Sequence, residues 1–214
     1  MPPNITEDTE LFRQAGLRAD WAHEFVRESN KIDPQPGSSE PGTPLYDRHM
    51  EAVLYALKMA AEDRYALPKT IHEILMLGHP RAAELAGKNR TQEAKVGINQ
   101  CLDPILVPQF IWSWNHRVRE VIDSLRTDDD SIDPDDKIVP IWDLHCEFEN
   151  IRPYEIFNGK VGRILMVNHA LLVDVNPWII PCELGREDYF DMIRYHESGK
   201  WGLNPPESYL VGSA

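Results

Sequence analysis

The chain has no CxxC pair and no Cys/His spacing of the kind that builds a zinc site. Its three cysteines, Cys101, Cys146 and Cys182, lie far apart, and their odd number without a signal peptide reads as reduced thiols in a cytoplasmic protein. No apolar run reaches the ~18 residues of a membrane span. The longest candidate, Ile164–Val175, is interrupted by Asn168, His169 and Asp174. Basic residues are also short: 22 Lys and Arg face 35 Asp and Glu, for a net charge of −13. That balance argues against duplex nucleic acid, which needs a basic patch to displace counterions. Six of the acids fall in one run, Thr127–Asp136 (TDDDSIDPDD), which reads as a loop.

The 214 residues, 42% hydrophobic, suffice for a full core and read as one domain over 1–214. Apolar residues recur mostly at helical spacing. Leu11, Ala15, Leu17, Trp21, Phe25 and Val26 predict one or two short helices over 10–29. Residues 33–44 hold four prolines and two glycines and form a loop. Helices follow over 48–64, from Pro68, over 110–125 and over 138–151, with Ile141, Leu144, His145 and Phe148 along one side of the last. Between them the helical period breaks at 89–108. There Val96, Ile98, Ile105 and Val107 bracket a polar middle and predict a small β-hairpin. Residues 159–175 are apolar on most faces, the pattern of a central buried helix, and 187–195 predict a last short one. The fold class is mainly α.

The segment IRPYEIFNGKVGR, residues 151–163, joins two of these helices. Pro153 ends the first, because a residue preceding proline avoids the α region. The second opens at Gly159, and a helix N-terminus offers unpaired N–H groups and about half a positive charge to an anion. Lys160 and Arg163 share a face of its first turn. Cations there oppose the helix dipole, so either an anion or carboxylates elsewhere in this acidic chain must answer them.

The stretch LHCEFENIRPYEIFNGKVGRILMVNHALL resembles the signature of the Fic (fido) family, H-P-F-x-(D/E)-G-N-G-R-x-x-R, preceded by H-x-x-F-E-x-I. His145, Phe148, Glu149 and Ile151 match the lead-in; Pro153, Asn158, Gly159 and Arg163 match inside it, Tyr154 stands for Phe, and Lys160 keeps the charge of an Arg. ESNKIDP resembles the family's inhibitory S-x-x-x-E-G helix, with Ser29 in place and Asp33 where the acid is expected. LAGKNRTQEAKVGINQ, residues 85–100, resembles the segment leading into the family's hairpin, so the likeness spans about 20–180.

The resemblance implies a Fic-like helical bundle with a small β-hairpin, the flap, which aligns a target protein by adding a strand. It further implies transfer of AMP from ATP to a target hydroxyl, with the motif His as base, the acid at the fifth position holding magnesium, and the turn and helix N-terminus binding phosphates. On this chain a nucleotide-phosphate site would comprise Asn158, Gly159, Lys160, Gly162 and Arg163, with Asp33 as inhibitory acid pairing Arg163. The decisive positions differ. Arg152 stands where the base belongs and cannot accept a proton near neutral pH. Ile156 stands where the acid belongs and offers magnesium no oxygen. Phe157 replaces a glycine and should crowd the turn. Glu155, His145 and His169 are the candidates for a substitute base.

Three readings follow. One is a degenerate Fic protein that keeps the cradle and binds ATP or another nucleotide. The second is a transferase with altered chemistry or donor. The third is a non-enzymatic module that meets a target or regulatory protein through the hairpin around 89–108.

Overall fold

The computed structural model describes residues 5–182, except 19, 36, 37, 39, 97, 98 and 127–132, together with Tyr189, Asp191 and Ile193. Eight α-helices are described: α1 Ile5–Gln14, α2 Trp21–Ile32, α3 Pro44–Ala61, α4 Pro68–Met76, α5 Ala82–Leu85, α6 Val107–Leu125, α7 Pro134–Ile151 and α8 Asn158–Leu172. Two short strands, β1 Lys95–Val96 and β2 Asn99–Gln100, pair antiparallel with Lys95 opposite Gln100 and Val96 opposite Asn99. The last helix expected, over 187–195, lies mostly outside the described residues; Tyr189, Asp191 and Ile193 within it are helical.

Several helices begin earlier than the apolar period predicts, and proline is the reason. α3 starts at Pro44 rather than at 48, α7 at Pro134 rather than at 138, and α6 at Val107 with Pro108 beside it rather than at 110. Proline's fixed φ suits the first helical turn, where its missing N–H is no loss. The described end of the acidic run, 133–136, therefore caps and opens α7 rather than forming a loop, while 127–132 lie outside the described residues. Asp133 caps α7 by accepting from the Asp135 N–H at 3.0 Å, and Asp135 and Asp136 sit in the first turn, where the dipole favours them. The hairpin is tighter than expected. Ile105 and Val107 are not strand residues; they belong to a 3-10 turn at Pro104–Leu106 and to the start of α6.

Helix α8 is the central element, packed by α3, α7, α4 and α2. Thirteen of its fifteen residues are buried, which is why no single apolar stripe marks it. Asn168 within it pins the α3–α4 connection, accepting from the Ala66 N–H at 2.9 Å and donating to the Ala56 and Arg64 carbonyls at 3.1 and 3.2 Å. A buried amide so fully paired fixes where the surrounding helices meet.

Candidate functional site

The loop between α7 and α8 is held by its own side chains. Arg152 terminates α7 in a left-handed conformation, φ 44°, ψ 66°. Asn158 staples the turn: its Oδ1 accepts from the Tyr154 N–H at 2.9 Å and its Nδ2 donates to the Tyr154 carbonyl at 2.7 Å. Phe157 adopts φ 64°, ψ 11°. The turn demands that left-handed geometry, so the position suits glycine, and a phenylalanine holds it at a cost of about 1–2 kcal/mol. The ring offsets that cost by being buried, edge-on to His79 at 6.0 Å.

Lys160 and Arg163 do converge, but not on solvent. Lys160 is fully buried and donates to the Asp33 carbonyl at 2.8 Å. Arg163, 2% exposed, donates from Nε to the Ser29 hydroxyl at 2.8 Å, from Nη2 to the Ser29 carbonyl at 3.1 Å and from Nη1 to the Tyr189 hydroxyl at 3.4 Å. Its guanidinium folds back over Gly159, where a Cβ would lie 2.9 Å from Nη1. The C-terminal turn of α2 therefore sits on the N-terminal turn of α8. Its carbonyls, the negative end of one dipole, answer the two cations that oppose the other. The expected Asp33–Arg163 ion pair is not formed; Asp33 offers its backbone oxygen to Lys160, and Ser29 takes Arg163. Burial first, and then the charge of Arg163, push the Lys160 ammonium down to about 7.

The same contact explains two polar residues that the sequence did not single out. Asn30, 1% exposed, donates to the Ser38 carbonyl at 2.6 Å and meets His49 Nδ1 at 3.0 Å. The proline-rich loop is thereby folded back against the end of α2. His49 is held well below the usual imidazole range by burial, and further by Lys160 and Arg163.

Gly162, expected in the phosphate site, faces α7. A Cβ there would lie 2.8 Å from Glu149 Oε1 and 2.9 Å from His145 Nδ1. Glu149 is 1% exposed, and burial raises its carboxyl while Arg152 and Arg163 oppose the rise. Arg152 Nη1 lies 3.8 Å from Glu149 Oε2, so the residue at the base position is engaged with a buried acid. His145 pairs through Nε2 with the Tyr189 hydroxyl at 2.7 Å and is pushed to about 3 by burial and by Arg163. His169 is buried and also near 3, through burial. Glu155 turns outward to Arg81 at 2.6 Å. Of the three candidate bases, Glu155 is taken by Arg81, and His145 and His169 are buried with their basicity strongly depressed; His145 Nδ1, beside Gly162, has no hydrogen-bond partner.

Magnesium does not fit these residues. Ile156 packs against the core, Glu155 is taken by Arg81, and no cluster of three or more His, Cys, Asp or Glu able to hold a metal occurs among the described residues.

Arg90 is a residue whose role only the structure reveals. It is 4% exposed and donates to the Arg152 carbonyl at 2.7 Å, the Gln92 carbonyl at 2.9 Å, the Ile151 carbonyl at 3.3 Å and the Leu102 carbonyl. Its own N–H donates to the Pro153 carbonyl at 2.8 Å. It caps the end of α7 and joins the root of the hairpin to the α7–α8 loop. Arg90 lies within the segment 85–100 that resembles the approach to the Fic hairpin, which was the signal available.

No protein-family model and no curated protein matches the chain in sequence. Solved structures do match. A Fic domain-containing signaling protein from Bacteroides thetaiotaomicron is similar at TM-score 0.67 and 14% identity, over 97% of this chain and 81% of that one. Fic-1 from C. elegans is similar at TM-score 0.51 and 16% identity over 91% of this chain, which spans 63% of the worm chain. A variant of Fic-1 is similar at TM-score 0.51 and 17% identity over 96% of this chain and 67% of its own. The architecture is that of a Fic domain. At such identities the likeness fixes the fold, while activity rests on the site. No helix among the described residues is long and apolar enough to cross a membrane.

Proposed function

We propose that this chain is a degenerate Fic protein that retains a nucleotide-phosphate cradle at the α8 N-terminus, holds it closed with the last turn of α2, and lacks the groups for AMP transfer by the Fic route. The observation that carries the reading is the engagement of buried Lys160 and Arg163 by Ser29 and Asp33. Both cations are kept, at a desolvation cost that apolar residues would avoid, and their partners are neutral acceptors. A phosphate would answer them better than carbonyls do. Arg152 is committed to Glu149, so a step needing a base at that position has none. General-base catalysis contributes ~10²–10⁴-fold, and its loss together with the magnesium acid leaves binding as the activity to test.

Opening requires α2 to release Lys160 and Arg163. A bound phosphate would then hold Lys160 protonated, so binding takes up a proton near neutrality and tightens from pH 8 to pH 6. The test is thermal stability with ATP, GTP, CTP and UTP, with and without magnesium, on the native chain, Ser29→Ala and Lys160→Met. Saturation about a hundredfold above Kd stabilises by about 2.7 kcal/mol. The reading expects a magnesium-independent shift, larger in Ser29→Ala and lost in Lys160→Met. No shift with any nucleotide in either the native chain or Ser29→Ala would sink it.

A second reading is supported by the hairpin. Beside it lies a groove of about 440 Å³ lined by Leu102, Phe110, Trp114 and Ile151, with Phe110 44% exposed. That surface would suit a target or regulatory protein whose strand pairs with β1 or β2. The three cysteines, none disulfide-bonded, support a cytoplasmic setting.

A further inference from the structure

A second cleft, separate from the cradle, opens between α4 and α6 with a volume of about 490 Å³. None of Asn158, Gly159, Lys160 or Arg163 lines it; only Tyr154 of the α7–α8 loop reaches it. Its charge runs against the rest of the molecule. In a chain of net charge −13, Lys69, His116 and Arg119 line the cleft and no carboxylate does. Arg119 makes no ion pair among the described residues, and the one partner of Lys69 is Glu73, at 3.8 Å on the surface. A cleft that concentrates positive charge between low-dielectric walls draws anions.

The cleft also has a flat apolar side. Trp112 is 64% exposed and meets His116 with ring centroids 4.1 Å apart and planes at 62°. The inner wall is held in place. Tyr154, 3% exposed, stacks on His72 at 4.0 Å and 3°, and His72 Nδ1 accepts the Gly87 N–H at 2.9 Å. Tyr154 lines the cleft, and its hydroxyl has no hydrogen-bond partner among the described residues. Gly87, φ 65°, closes the turn beside it, where a Cβ would collide with Glu73 at 2.6 Å. A preformed polar wall, an exposed aromatic side chain and a cation, Arg119, without an ion pair among the described residues are the ingredients of a small-ligand site rather than of a packing defect.

We propose that the cleft between α4 and α6 binds a small aromatic anion, its phosphate or carboxylate held by Arg119 and Lys69 and its ring on Trp112. The guanidinium supplies bidentate hydrogen bonds, and the indole supplies a stacking face at little entropic cost.

Calorimetric titration with phenyl phosphate and with benzoate tests this, with inorganic phosphate and benzyl alcohol as controls that keep only the charge or only the ring. The expected result is binding of at least one aromatic anion, about tenfold or more tighter than either control, since each lost interaction is a loss on the order of 1.4 kcal/mol. Arg119→Ala and Trp112→Ala, both at exposed positions, are each expected to weaken it about tenfold. Lys160→Met is expected to leave it unchanged, so the outcome is independent of the cradle. The inference is overturned by the absence of binding up to roughly 10 mM. A control that binds as tightly as the aromatic anion overturns it as well, and so does affinity unaltered in both cleft variants.

Discussion

Lys160 gives the sharpest test of the closed cradle. Its ammonium is buried against Arg163 and titrates near 7 in the fold against 10.5 when free. The unfolded chain then holds one more proton than the native state between those values. Stability must therefore rise with pH across that window, by about 1.4 kcal/mol per unit and by about 5 kcal/mol over its whole span. Below pH 7 the residue is protonated in both states and contributes no slope. Other groups titrate between pH 7 and 9, so the informative quantity is the difference between the native chain and Lys160→Met. Urea unfolding at pH 7, 8 and 9 measures it. With an m-value of about 2 kcal/mol/M, the native midpoint should gain on the variant by about 0.7 M per pH unit. Methionine fills the same volume without a charge, and the Asp33 carbonyl loses a donor, so that hydrogen bond adds a constant offset of about 1–2 kcal/mol to the pH-dependent difference. The slope does not depend on it. Parallel midpoints for the two proteins across pH 7–9 would refute a buried, neutralised Lys160 and with it the closure of the cradle by α2.

Gly162→Ala should cost about 1–3 kcal/mol by overpacking against His145 and Glu149, partly offset by alanine's helix propensity, and calorimetry reads it as a lower Tm. Phe157→Gly relieves the left-handed strain but removes a buried ring, and the ring dominates, so a net loss of about 2 kcal/mol or more is expected in chemical denaturation. Arg90→Met should destabilise by about 2–4 kcal/mol, since it strips donors from buried carbonyls, and should speed amide exchange at the hairpin. His145, His169 and His72 titrate near 3, 3 and 4 in the fold against 6.5 when free. Their contribution is complete above pH 6.5 and is lost as pH falls from there toward 3–4, at about 1.4 kcal/mol per unit each. Circular dichroism should show unfolding that takes up two or more protons between pH 6 and 5, and an uptake near zero would show that these rings are not buried as neutral bases.

Much of the fold was legible because burial leaves a periodic mark. The seamless apolarity of 159–175 announced the central helix, and the break in period at 89–108 announced the hairpin. The starts of α3, α6 and α7 were misplaced because a capping proline carries no apolar signal, yet it defines the first turn better than the first core residue does. The chemistry of two positions was equally plain: Arg152 cannot accept a proton near neutral pH and Ile156 offers a metal no oxygen, whatever surrounds them. Chemistry that depends only on the identity of a side chain is written in the sequence.

Direction and partnership are not. The segment 151–163 showed two cations at a helix N-terminus and left open what answers them. That answer comes from Ser29 and Asp33, more than a hundred residues away, whose backbone carbonyls look the same in any sequence. Ser29 stood in the expected place, but the expected Asp33–Arg163 pair gave way to a hydroxyl and two carbonyls. Arg152 turned to Glu149, Gly162 to His145, and Arg90 to four carbonyls across the loop. The contacts of Lys160, Arg163 and Gly162 are set by the packing of α2 and α7 against α8, and those of Arg90 by the docking of the hairpin root on the α7–α8 loop. Side-chain type and period determined which elements form; only the docking of one helix end on another decided that Lys160 and Arg163 are answered by the last turn of α2.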